Sequence, residues 1–268
     1  MCEPSPHRRI ALLICDVPVD AIHEKHGDYT RIFRTLLEES LQPINHARLA
    51  DSQATFTLEP FEVCAQIYPK IDEYDAMIIT GAGAAATAYE YDQPGKEYVA
   101  TEKPRIKIFG MCFGHQVIAL AMGGTCVRNT REVSATKLRL NELGKKVYGV
   151  ESGVLNLHLM NRDHVPTEPP SFHIIALSNH SPNHGMVRFS QAESLGDAPP
   201  LNFRLTDIHI LSSQGHPEFT ESIMRMLLNA WQELLGTEVV DYGQSRAGNQ
   251  NDGIAVVGKA IWGIMGVE

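Results

Sequence analysis

Arg105-Ile-Lys-Ile-Phe-Gly110-Met-Cys112-Phe-Gly114-His-Gln116-Val-Ile-Ala-Leu-Ala-Met-Gly-Gly124 is the stretch that decides the fold. It reads as a short β run, a tight Gly-X-Cys-X-Gly turn, and an apolar helix that stops at paired glycines. That is the pattern of a nucleophile elbow, a strained strand-to-helix turn where flanking glycines avoid side-chain collisions. Here the central residue is Cys112, not serine. The turn lifts the sulfur out of the sheet, and the helix behind it directs the positive end of its dipole at the site. Such a field favours thiolate, the nucleophilic form. The plainer reading is a buried structural cysteine at a glycine-rich β–α turn. Glycines in register on both sides favour the nucleophile.

Working outward, Ile10-Ala-Leu-Leu-Ile-Cys15 is a continuous apolar run, as in a parallel strand covered on both faces. Tyr29, Ile32, Phe33, Leu36, Leu37 and Leu41 follow at helical spacing, after a start signal at Gly27-Asp28. Residues 55–63 alternate as a second strand, and 74–80 form a third that ends in Gly81-Ala-Gly83. A helix is expected at 94–102, then the elbow strand. Downstream, 135–141 and 153–160 alternate and are separated by a turn-like Asn141-Glu-Leu-Gly. Residues 172–177 read as an apolar strand, 190–202 as a loop, and 208–213 as a strand ending in a second glycine turn. Residues 220–235 read as one amphipathic helix closed by Gly236. The alternation predicts an α/β fold: an open, mostly parallel sheet with helices on both faces and an antiparallel edge extension. Residues 1–236 are read as one α/β domain, and 237–268 as a C-terminal extension docked on it.

The totals bound the function. A chain of 268 residues, 43% hydrophobic and 21% charged, is ordinary for a globular protein with a substantial core. A net charge of -9 argues against nucleic acid or an anionic membrane as partner, since both select basic faces. No stretch approaches the length of a transmembrane helix, and the amino terminus lacks the pattern of a signal peptide. The five cysteines are scattered and form no Cys-X-X-Cys pair, which suits a reducing cytoplasm. His164, His173, His180, His184 and His209 lack metal-ligand spacing, so neither a metal nor another cofactor is expected.

A cysteine hydrolase needs a base within reach of the sulfur and a group to orient that base. His216 lies just after a strand and Gly215, where a carboxyl-end loop points at the same rim as Cys112. Glu218 follows two residues on, with Pro217 fixing the backbone between them. That spacing lets a carboxylate hold one imidazole nitrogen while the other faces the sulfur. Taken alone, His-Pro-Glu would be a surface turn leading into the last helix.

Gly110-Met-Cys112-Phe-Gly114-His-Gln116 together with Gln214-Gly-His216-Pro-Glu218-Phe closely resembles the class I glutamine amidotransferase family. The nearer likeness is to its free-standing members, which include γ-glutamyl peptidases. It extends to residues 27–37, 74–83 and 123–129, so it covers about residues 10–235. The resemblance implies a flavodoxin-like, three-layer fold. It also implies that Cys112 attacks a γ-carboxamide, that His216 shuttles the proton, and that Glu218 orients His216. A γ-glutamyl thioester would form and water would release it. Backbone N–H groups of Phe113 and Gly81 would form the oxyanion hole. Gly83 and Gln116 would contribute to substrate binding. For Gly81 and Gly83 a tight strand-end turn stands as an equal reading, and for Gln116 an ordinary helix-surface glutamine.

Three departures from the family pattern fall beside the expected pocket. Ala82 replaces proline between the oxyanion-loop glycines. Arg131-Glu132-Val133-Ser134 stands where relatives near the peptidases carry aromatic-acidic-apolar-Gly. Asn161-Arg-Asp163 replaces His-X-Asp. The expected function is cysteine-dependent hydrolysis of a γ-glutamyl amide in a small molecule, a γ-glutamyl peptide or conjugate or glutamine itself, and the three departures favour an amide other than free glutamine. Two alternatives are a glutaminase subunit passing ammonia to a separate synthetase, and a non-enzymatic cysteine sensor. Retention of His216 and Glu218 counts against the sensor, which needs only an exposed, low-pKa thiol.

Overall fold

The computed structural model describes residues 6–83, 105–190, 198–200 and 202–268. The helix expected at 94–102 and most of the loop expected at 190–202 lie outside them. The strands are β1 (His7–Ile14), β2 (Thr55–Glu62), β3 (Ala76–Ile79), β4 (Lys107–Met111), β5 (Val127–Leu140), β6 (Val154–His164), β7 (His173–Leu177), β8 (Gly185–Phe189) and β9 (Ile208–Ser213). They form one sheet in the order β2-β1-β3-β4-β9-β8-β7-β5-β6. From β2 to β9 every pairing is parallel. From β9 to β6 every pairing is antiparallel.

Side-chain alternation assigns the two faces. Leu12, Ile78 and Phe109 pack on one side with Phe33 and Leu36 of α2 (Tyr29–His46). Their neighbours Ala11, Met77 and Ile108 pack on the other with Ile118 and Ala119 of α3 (Phe113–Ala121). Parallel strands buried on both faces need apolar residues at both parities, which is why they appear as unbroken apolar runs. The open, mostly parallel α/β sheet with an antiparallel extension is the observed architecture. Among the described residues, no helix is long and apolar enough to cross a membrane.

Several elements differ from expectation. Asn141-Glu-Leu-Gly is a helix start, because the Asn141 side chain accepts a hydrogen bond from the Gly144 N–H at 2.9 Å. The helix that follows, Glu142–Tyr148, stops at Gly149, whose φ is +65°. The helix expected over 220–235 is two segments, Glu221–Ala230 and Gln232–Leu235, with the break at Trp231. The polar stretch after Gly236 is itself helical over Thr237–Arg246, with Val240 and Gly243 turned inward. At Gly243 a Cβ would lie 2.7 Å from a terminal methyl of Leu228, which would have to shift. Strand β8 and the helix Asp20–His26 were not foreseen, being short segments without a clear period.

At the carboxyl end, Gly253–Gly258 forms a wide π-type turn that runs into Lys259–Ile264. Trp262 is fully buried in the same cluster as Leu12 and Phe109. Its indole N–H donates to Leu37 O at 3.1 Å and Ser40 Oγ at 3.0 Å, and its ring meets Phe56 edge-on at 5.4 Å. Trp262→Ala should lower stability by about 3–5 kcal/mol in urea denaturation. A loss below about 1 kcal/mol would mean that this segment lies outside the cooperative core.

Six histidines are buried among the described residues, and three of them are held well below the ordinary imidazole value. His115 is pushed down to about 3 by burial and by His184 and His164. His158 falls to about 4 through burial and His216. His209 falls to about 4 through burial, Arg188 and Lys107. A depressed folded value means that the unfolded chain binds the proton first. The stability these groups contribute is therefore present above pH ~6.5 and is lost as pH falls toward 4, at up to about 1.4 kcal/mol per pH unit for each group. The urea midpoint should drop steeply across that window. A midpoint unchanged from pH 7 to pH 4.5 would contradict this account.

Candidate active site

Cys112 leaves the sheet at the end of β4, and residues 214–216 leave it at the end of the neighbouring parallel strand β9. Met111 pairs with Ser213, and the Cys112 N–H donates to Ser213 O at 2.8 Å. Both loops therefore emerge at the same carboxyl rim. Cys112 itself has φ +52° and ψ -102°, a conformation that costs a non-glycine residue about 1–3 kcal/mol. The flanking glycines make the turn possible. A Cβ on Gly110 would sit 2.7 Å from the Gly114 backbone, and one on Gly114 would sit 2.5 Å from Ile79 O.

His216 is fixed from two sides. Its backbone N–H donates to His158 O at 2.8 Å, an isolated antiparallel bridge that ties His216 to the middle of β6. Its ring stacks on Phe219, with centroids 4.0 Å apart and planes 9° apart. Nδ1 lies 2.8 Å from Glu218 Oε1, and both groups are buried. Burial alone would lower the imidazole pKa, but the charges of Cys112 and Glu218 outweigh it and hold the value well above the ordinary one. The structure thus brings Cys112, His216 and Glu218 together.

Gly81 covers this group. A Cβ there would be 2.9 Å from His216 Cε1 and 3.5 Å from Cys112 Cβ, so any larger residue would have to displace the imidazole. Phe113 opens α3, which puts its N–H in the first helical turn beside the sulfur. Gly83 lies on the cleft wall, where its N–H donates to the Asp16 carboxylate. Gln116 also lines the cleft, and its amide nitrogen donates to Asp163 O at 3.0 Å and Gln214 Oε1 at 3.1 Å.

Gln214 received no role from the sequence, although it stands inside the quoted motif. It is fully buried, and its amide nitrogen donates to Cys112 Sγ at 3.5 Å. An unbroken chain of hydrogen bonds therefore runs from Asp163 O through Gln116 and Gln214 to the sulfur. Tyr29 is a second addition. Its phenol lies in a neighbouring pocket with Asp16 and His216, and its pKa is raised by burial and by the charge of Glu218.

The three departures from the family pattern lie where the groove was expected. Ala82, Arg131, Asn161, Arg162 and Asp163 share the wall of the Cys112 cleft, which encloses about 110 Å³. Glu132 points away from the cleft and is tied inward. Its carboxylate meets Ser178 Oγ at 2.9 Å and His184 Nε2 at 3.1 Å, and these contacts hold its pKa low although burial opposes them. Ser134, in the position of the relatives' glycine, takes φ +67°, the left-handed region that glycine tolerates more readily. His164 bonds Ser181 Oγ at 2.8 Å, and His209 lies beside Arg188. Among the described residues, no three potential ligands gather around a metal position.

The chain resembles known proteins along most of its length. Residues 39–231 match the family Glutamine amidotransferase class-I. A protein described as glutamine amidotransferase-like, from Schizosaccharomyces pombe, is 29% identical over 246 residues, covering 86% of each chain. Gamma-glutamyl peptidase 3 of Arabidopsis thaliana is 24% identical over 227 residues, covering 81% of this chain and 79% of its own. In fold, a glutamine amidotransferase structure from Thermotoga maritima aligns with a TM-score of 0.67 at 14% identity, covering 97% of this chain and 99% of that one. By the family match across well over half of its residues, the chain belongs to the class-I glutamine amidotransferase family.

Proposed function

We propose that the chain is a hydrolase of γ-glutamyl amide bonds in which Cys112 is the nucleophile, His216 the proton carrier and Glu218 the group that orients His216. One observation carries the reading: a cysteine on a strained elbow shares a buried site with an imidazole whose Nδ1 is held by a carboxylate at 2.8 Å. Nε2 is then the ring atom available to the sulfur, which is the arrangement nucleophilic catalysis requires.

The steps follow from these positions. The Cys112 thiolate attacks the γ-carboxamide carbon, and the carbonyl oxygen becomes an oxyanion. The N–H groups of Phe113 and Gly81 receive it, each worth about 3 kcal/mol in such sites. The imidazolium of His216 passes its proton to the departing amine as the C–N bond breaks. A γ-glutamyl thioester remains on Cys112. Water then adds to it while His216 takes a proton, the C–S bond breaks, and glutamate leaves with the thiolate restored. The elevated pKa of His216 suits the first half of this cycle, which needs a protonated imidazole beside an anionic sulfur.

The substrate is an extended γ-glutamyl amide, a peptide or conjugate, and not free glutamine. Ala82, Arg131 and Asn161, which differ from the family pattern, support this, because they line the cleft and leave the triad untouched. A screen of glutamine, glutathione and glutathione conjugates, read by glutamate release, tests it. Turnover of free glutamine at a KM in the micromolar-to-millimolar range would overturn the preference. Ammonia delivery to a separate synthetase is the competing outcome, and it would show as glutaminase activity appearing only when that partner is added.

Replacing Cys112 by alanine should abolish turnover, and residual activity within about tenfold of the parent would defeat the assignment. Glu218→Gln keeps the shape but loses the charge, and kcat should fall by about two to four orders of magnitude. Gly81→Ala should lower kcat about tenfold or more by displacing the imidazole it would touch, with the melting curve close to that of the parent. Unchanged kcat in Gly81→Ala would remove Gly81 from the site.

A further inference from the structure

A second, larger cavity of about 920 Å³ lies between β5 and the helix Thr237–Arg246. Arg131 belongs to its wall and also to the wall of the Cys112 cleft, so the two spaces adjoin at that side chain. The cleft at Cys112, at about 110 Å³, has room for one amino-acid side chain, whereas clefts for whole ligands run to roughly 300–1,000 Å³. A substrate that released only ammonia would have no use for the larger space.

The larger cavity is cationic. Arg131, Lys137, Arg139 and Arg246 line it, against Glu132 and Glu238. Glu132 is held by His184 and Ser178, and Arg246 bonds Ala135 O and the Tyr242 hydroxyl. Among the described residues Arg131, Lys137 and Arg139 make no side-chain hydrogen bond or ion pair. They follow one another along β5 away from the sulfur, in a chain whose net charge is -9. At the junction the position is more strained. Arg131 is half withdrawn from water, and burial and the neighbouring Arg162 both disfavour its charge. Among the described residues Arg162 in turn has one ion-pair partner, Asp163, at 3.8 Å. Two guanidinium groups share one carboxylate, and an incoming anion would relieve both.

We propose that the amine side of the substrate carries a carboxylate that binds Arg131 at the junction, with its remainder lying in the cavity along Lys137 and Arg139. The inference rests on reading the Cys112 site as a γ-glutamyl hydrolase. It names what leaves: a peptide or peptide-like acid, not ammonia or a neutral amine. Arg131 acts here as a specificity-determining residue and takes no part in bond breaking.

The test uses the full chain and two tripeptides, γ-glutamyl-alanyl-glycine and γ-glutamyl-alanyl-glycinamide, which differ only in the terminal charge. Wild type should favour the acid by about tenfold or more in kcat/KM, mostly through KM. Arg131→Met, and the pair Lys137→Met with Arg139→Met, should bring that ratio close to one, chiefly by raising KM for the acid. Added salt should weaken the preference in the same direction. Equal kcat/KM for the two peptides in wild type would overturn the subsite. So would Arg131→Met slowing both peptides in equal proportion, because Arg131 would then hold the glutamyl end they share. If wild type hydrolyses no γ-glutamyl amide at all, the hydrolase reading fails. Calorimetry on Cys112→Ala then judges the subsite separately: tighter binding of the acid supports it, and equal binding of acid and amide sinks it.

Discussion

The site depends on how closely β4, β9 and α3 approach one another. The Cys112 N–H reaches Ser213 O at 2.8 Å, and the start of α3 sits so close to β3 that a methyl group on Gly114 would strike Ile79 O. These two contacts hold the cysteine at φ +52°, a backbone state that a free chain would abandon. The strain is sustained because the strand behind it and the helix after it are both buried and cannot move independently. Once the sulfur is held there, the neighbouring parallel strand has to deliver residues 214–216 to the same rim.

Electrostatics then separates the histidines by location. Among the described residues His115, His158 and His209 have no carboxylate bonded to the ring, and burial holds their pKa values down. His216 is buried as deeply but lies against Cys112 and Glu218, and its pKa moves the other way. Deep burial alone therefore says little about a histidine in this protein. The sign follows from whether an anion is close enough to replace the lost water. His158 shows how economical the arrangement is: its carbonyl anchors His216, while its own ring stays uncharged beside it.

Much of the site was legible because it comes from local patterns. Gly110 and Gly114 mark the elbow at any register, since only glycine fits where a helix backs onto the strand it has just left. His216 and Glu218 are two residues apart, and a proline between them nearly settles the contact. Gln214 was overlooked although it lies in the same motif, because its donation to Cys112 Sγ crosses 102 positions of sequence. In sequence the helix start at Glu142 looks like a turn because Asn141 serves both roles, and only the Gly144 N–H it caps decides between them.

The departures from the family pattern show the same division. Arg131, Asn161 and Ala82 look unrelated in the chain, yet they share one wall, because β5 and β6 pair antiparallel there while the loop after β3 reaches across. The cavity beyond Arg131 has no linear signature, since one side is strand β5 and the other a helix some hundred residues later. Taken by itself, the amino-acid sequence determined the alternating elements, the two-faced burial of the parallel strands and the identity of the cysteine, histidine and glutamate, because each of these is written in spacings of a few residues. Only the tertiary structure decided which strands are neighbours, which histidines lose their charge and which cations line the groove, because those depend on distances between residues that the chain holds far apart.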